Sequence, residues 1–202
     1  MQLSSIRSFN ATAPAAASPK PEAPQQAEFS YNAQDRLVMN PGTTVLSGVD
    51  AGPKTERFAM KGTRLEPNEK GNFVFEAQDP RSTSAVAFAA AQKTLTTFEN
   101  AYGGSFSWAF RSPQMGVNPD RQDKEMLNAY YSRAEGTVNF FHAKDPVTGT
   151  MVQSGSSGEV VSHEVGHAIL DALRPGYLSA WNSDSGGFHE SFGDSMAILM
   201  GT

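Results

Sequence analysis

His163-Glu164-Val165-Gly166-His167 places two imidazoles at i and i+4 with a carboxylate directly after the first. One helical turn is about 3.6 residues, so on a helix both rings stack on one face and can grip a single cation, with Glu164 beside that face. The surrounding residues read as helix. Ser156 and Glu159 form a Ser-x-x-Glu capping box ahead of Val160-Val161. Val161, Val165, Ala168 and Ala172 then recur at helical steps, and Arg174-Pro175-Gly176 ends the segment. A helix with two ordinary histidines, solvent-facing or packed in a core, is the alternative that further residues must exclude.

The composition narrows the choices. With 202 residues, 39% of them apolar, the chain can bury the core of one globular domain. It has no cysteine, so neither disulfides nor thiolate metal sites are available and a metal would be held by imidazole and carboxylate. A net charge of -5 with no basic stripe argues against nucleic acid as a partner. The opening MQLSSIRSFNATAPAAASPK lacks the continuous apolar stretch of an export signal, and no later run approaches membrane-spanning length.

Three regions follow from the punctuation. Residues 1–30, with APAAASPKPEAPQQ, have too little apolar surface to offset the entropy of ordering and read as a tail. Residues 31–80 carry short apolar runs, Leu37-Val38-Met39, Thr44-Val45-Leu46 and Phe73-Val74-Phe75, between turn signals, as expected of short strands. Residues 81–202 hold the histidine motif. There the spacing of Phe88, Ala91, Leu95, Phe98 and Tyr102 predicts an amphipathic helix, capped among Ser82-Thr83-Ser84 and stopped by Gly103-Gly104. Alternating Phe106, Trp108 and Phe110 predict a half-buried strand, and the stretch from Ala129 to Phe141 predicts a strand pair or one long bent strand. A last helix is expected from Phe188 to about Met200, after which the chain stops without a closing element and reads as a truncated catalytic region.

A metal on two histidines needs a third protein ligand, with a fourth position left for water if the site is catalytic. A glycine three residues and a histidine six residues after His167 would mark one class of zinc protease, but Leu170 and Leu173 stand there. Downstream, Glu190 and Asp194 lie one turn apart on the last expected helix. One carboxylate can bind the metal while the next turn accepts a hydrogen bond from a ligand imidazole.

With these residues in place the chain resembles the thermolysin-like gluzincin metallopeptidases, whose H-E-x-x-H helix is followed by a second helix bearing N-E-x-x-S-D or a variant. The resemblance extends back to about Ser82 and rests on His163, Glu164, His167, Glu190 and Asp194. It implies an α+β zincin fold with a small mixed or antiparallel sheet and active-site helices, the family's C-terminal lobe missing. It also implies zinc held by His163, His167 and Glu190, Glu164 as general base, and Asp194 orienting His163. The implied activity is peptide-bond hydrolysis by water, with zinc polarising the carbonyl and Glu164 moving the proton, on a peptide or protein substrate. Secretion is the family expectation, which the N-terminus does not support.

The chain departs from the family pattern. His189 stands where the family has Asn before the third ligand, and it competes for that role or lines the site. The connection from His167 to Glu190 runs a few residues long, which loop entropy tolerates. The lobe that supplies the family's transition-state His and substrate-positioning Arg does not follow, and His142 lies too far upstream to replace it. Glu159 occupies a position where the family often places a Ca2+ ligand, without recognisable partners. Substrate would add as a strand to a sheet edge, with Thr137 to His142 the candidate edge. By resemblance Asn139 and Phe140 contact the substrate, with plain core the alternative for Phe140. Tyr177 and Trp181, in the loop between the ligand helices, are candidates to hold the carbonyl oxygen or line the cleft, with simple loop packing the alternative. A catalytically incomplete zinc-binding homologue, acting as a peptide-binding or regulatory module, is the alternative.

Overall fold

A computed structural model of the chain describes residues 26–34, 42–50, 52–62, 64–179 and 182–201. Strands β1 (Gln26–Tyr31), β2 (Gly42–Ser47) and β3 (Phe58–Met60) precede the long helix α1 (Pro80–Tyr102). Strands β4 (Met115–Asn118), β5 (Ala129–Ser132), β6 (Thr137–Phe140), β7 (His142–Lys144) and β8 (Met151–Gln153) follow. The helices α2 (Gly158–Leu173), α3 (Pro175–Ser179) and α4 (Ser183–Gly201) complete the order. The class is α+β. The main sheet is mixed, in the order β3-β4-β6-β5: β3, β4 and β6 run parallel, and β5 returns antiparallel to β6 at the edge. The stretch from Ala129 to Phe141 is therefore a strand pair and not one bent strand. β1 with β2, and β7 with β8, form two further antiparallel pairs. No helix among the described residues is long and apolar enough to cross a membrane.

Helix α1 runs through the centre. Asp79 caps it by accepting the Arg81 N–H at 2.9 Å, and Pro80 takes a first-turn position where its missing N–H costs nothing. The helix thus starts ahead of Ser82-Thr83-Ser84, and Ser82 and Thr83 are buried instead of capping. Gly103, at φ 85°, ends it by closing its N–H on the Glu99 carbonyl at 3.0 Å. Ala85, Ala87, Ala89, Ala90 and Ala91 are all fully buried. Side chains this small let β1, the main sheet and α2 approach the same helix closely.

The N-terminal region joins this core sooner than its composition suggests. β1 begins at Gln26, inside the 1–30 segment read as a tail, because Ala27, Phe29 and Tyr31 bury while Gln26 and Glu28 keep the segment polar on average. Phe29 stacks on Phe73 at 4.6 Å and on Phe88 of α1 at 5.7 Å. Residues 1–25 and Leu37-Val38-Met39 lie outside the described residues. The expected strand at Phe73-Val74-Phe75 reduces to a single bridge from Phe73 to Phe29.

Phe106, Trp108 and Phe110 form no strand. Their alternation instead builds a stack in irregular backbone: Phe106 meets Trp108 edge-on at 5.7 Å, Trp108 stacks on Phe110 at 5.8 Å, and the Arg57 guanidinium lies 4.7 Å over Trp108. Period-two burial needs a surface on one side only, and here that surface is other rings rather than a strand ladder.

If β1 belongs to the cooperative core, Phe29→Ala should cost about 3–5 kcal/mol, the range for losing a buried aromatic ring. Urea unfolding followed by circular dichroism checks this, and a loss below about 1 kcal/mol would show that the β1–β2 pair unfolds separately from α1.

Candidate metal centre

The site is built where α2 meets α4. Ser157 caps α2 by accepting the Val160 N–H, one residue later than the Ser156 cap expected. Ser156 instead donates its hydroxyl to the Gln153 carbonyl at 2.7 Å, and its own carbonyl accepts from Asn32 Nδ2 at 3.1 Å. One side of α2 is tied to α1 through a buried hydrogen bond between Ser162 Oγ and Thr94 Oγ1 at 2.9 Å. The other side crosses α4 almost backbone to backbone. A Cβ placed on Gly166 would stand 3.0 Å from Gly193 Cα, and one on Gly193 would stand 2.9 Å from the His163 ring. α4 itself starts at Ser183, so Gly186 and Gly187 are helical rather than part of the expected loop.

This crossing gathers the ligand candidates. His163 Nε2 lies 3.4 Å from Glu190 Oε2 and His167 Nε2 lies 3.7 Å from Glu190 Oε1. One donor atom from each residue falls within 4.8 Å of the other two. Donors at about 2.0–2.1 Å from a tetrahedral ion stand roughly 3.3–3.4 Å from one another, so the set closes on one cation with small side-chain adjustments. Asp194 Oδ1 lies 3.0 Å from His163 Nδ1, so a proton on that nitrogen, donated to the carboxylate, leaves the Nε2 lone pair facing Glu190. Burial, aided by the neighbouring His163, pulls the His167 pKa down to about 4, and the ring is neutral near pH 7 as a ligand must be. Two neutral imidazole nitrogens and a carboxylate form a set that can hold a divalent cation.

Glu164 is buried, and its Oε2 has no hydrogen-bond partner. Burial pushes its pKa up to about 7, against the pull of His163 and the Tyr131 peptide N–H. A buried carboxyl oxygen with no donor is costly unless something else supplies one, and such groups mark functional positions.

Two cavities, of about 660 and 510 Å³, flank the cluster and share Asn128, Ala129, His163 and Glu164. Leu127, Val152, Val160, Ala197 and Ile198 give the larger one apolar walls. Tyr130, Tyr131, Tyr177 and Leu178 line the smaller. The strand bordering both is β5. The expected edge at Thr137 to His142 is not one, because β6 is flanked by β4 and β5. Asn139, 1% exposed, correspondingly lines neither of these two cavities, and its amide donates to Thr137 Oγ1 at 2.8 Å. Phe140 is fully buried in the hydrophobic core. Tyr177 does line the cleft, with its ring edge-on to Phe188 at 5.7 Å. Trp181 lies outside the described residues.

The remaining acids and histidines separate clearly. His142 pairs with Asp120 at 2.6 Å and lines neither cavity of the cluster. Glu159 joins no cluster of potential ligands among the described residues. His189 is buried, with its Nδ1 3.0 Å from His167 Nδ1, and it is not part of the three-residue cluster. Its pairing with the second histidine had no signal in the sequence beyond its place beside Glu190. No protein-family model matches the chain, and no curated protein matches it.

The close crossing gives a direct test. Gly193→Ala should force the His163 ring aside and weaken metal binding by about tenfold or more, as when a ligand loses its orientation. Chelator competition with zinc measures this, and unchanged affinity in a folded variant would show that the crossing does not set the position of His163.

Proposed function

We propose that the chain is a zinc-dependent metalloendopeptidase with a zincin fold of the thermolysin-like gluzincin kind. The observation that carries this reading is the convergence of His163, His167 and Glu190 on one point, with Glu164, whose Oε2 has no hydrogen-bond partner, lining the cavities on both sides. A purely structural ion would be expected to have a closed shell of four protein ligands, whereas three side chains converge here. When bound, zinc would supply Lewis acidity toward the scissile carbonyl and toward a water.

The protein's own residues would do the rest. Glu164, with a pKa poised near 7 by burial, takes the proton from the attacking water and delivers it to the departing amine. No covalent bond forms between substrate and protein. Asp194 would hold His163 with its Nε2 facing Glu190, the orientation a ligand needs. β5, as the edge of the main sheet, offers backbone groups to an extended peptide laid along the cleft, and this recognises main chain rather than a particular sequence. Tyr177 lines the same cavity as Glu164 and Glu190, which supports a role for its hydroxyl as a donor to a carbonyl oxygen.

One observation favours the second reading, a zinc-binding module that holds peptides without cleaving them: among the described residues, neither cavity is lined by Arg or Lys. Casein or quenched-peptide cleavage combined with metal analysis separates the two. The protein should bind one zinc and cleave. Glu164→Gln should keep the zinc and lose about 10²–10⁴-fold in turnover, while Glu190→Ala should lose zinc. Zinc binding without cleavage by the parent chain would favour the binding module, and Glu190→Ala with full zinc content would remove the metal assignment.

A further inference from the structure

We propose that His189 is a positioning residue: its Nδ1 accepts a hydrogen bond from His167 Nδ1–H and thereby fixes His167 in the tautomer whose Nε2 lone pair faces Glu190. This rests on the metal-centre reading and adds to it a role for the residue that departs from the family pattern. The two ring nitrogens are 3.0 Å apart, so one of them carries the proton and the other accepts it.

The two arrangements have opposite consequences. If His189 Nδ1 held the proton, His167 would accept at Nδ1 and carry its own proton on Nε2, aimed at the Glu190 carboxylate 3.7 Å away and unable to ligate a cation. If His167 Nδ1 holds it, Nε2 is free, and His189 must carry its proton on its own Nε2.

The metal-centre reading selects the second arrangement, because only it leaves the His167 Nε2 lone pair facing Glu190. The Nε2 of His189 is buried and has no hydrogen-bond partner among the described residues, so no neighbour there holds the ring in the opposite tautomer. Both ligand imidazoles are then anchored at Nδ1, His163 by a carboxylate on α4 and His167 by a neutral ring on the same helix.

Long-range 15N–1H correlation spectra of the histidine-labelled chain, recorded before and after adding zinc, test this directly. The expected pattern in the metal-free protein is Nδ1–H on His167 and Nε2–H on His189, unchanged by zinc at His189. Nδ1–H on His189, or a zinc-induced coordination shift at either of its nitrogens, overturns the proposal. Replacement gives a second measure. His189→Asn puts an acceptor oxygen near the Nδ1 position and should keep zinc affinity within about threefold, whereas His189→Leu should lower it about 10–100-fold. Equal affinities for these two variants overturn the positioning role. Failure of the parent chain to bind zinc would instead remove the metal-centre reading, with the metal-free tautomers still deciding the hydrogen bond.

Discussion

The site depends on how closely two helices can cross. α2 supplies both imidazoles and α4 supplies the carboxylates, and residues from different helices share one ion only if the backbones come together at the right level. Gly166 and Gly193 meet at that level, with no room for a side chain on either without displacing backbone or the His163 ring. Glycine inside a helix costs roughly 0.8–1 kcal/mol relative to alanine, so its use in both helices opposes intrinsic propensity and follows from the approach alone. Met196 then packs into the junction, and Phe192 carries α4 onto Phe98 of α1.

The two helices contribute differently to the electrostatics. α2 is embedded, and burial keeps His167 neutral and drives Glu164 toward neutral pH. α4 is peripheral: the Glu190 and Asp194 side chains retain 68% and 69% of their exposure. A carboxylate close to water is easily kept charged, and a histidine held in the interior is easily kept neutral. The division therefore keeps the neutral His167 ring in the interior and the two carboxylates of α4 at the surface.

What could be read from the sequence was what depends on spacing within one helix. The i, i+4 rule places His163 and His167 together and Glu190 one turn from Asp194, and the α1 stripe follows from the period of Phe88, Ala91 and Leu95. What escaped depends on contacts between distant segments. Composition averaged Gln26 to Tyr31 into a tail although alternate residues are core. The motif spacing could not show that β5 rather than β6 would hold the sheet edge, which is decided by a strand returning after a turn, and Asn139 and Phe140 therefore line neither cavity beside the cluster. The aromatic alternation at Phe106, Trp108 and Phe110 signalled a one-sided environment correctly, but a ring stack satisfies that pattern as well as a sheet does.

The position of β5 against α2 is fixed by charge as much as by packing. Asp171, on α2 one turn beyond His167, is fully buried and receives Tyr131 Oη and the Arg133 guanidinium, and Arg133 also donates to the Pro175 carbonyl at 2.6 Å. A buried carboxylate left alone would cost several kcal/mol, and only partners that reach it from β5 and the adjoining turn make the arrangement tolerable. Such a group specifies geometry more than it adds stability, since β5 can shift along α2 only by exposing the charge.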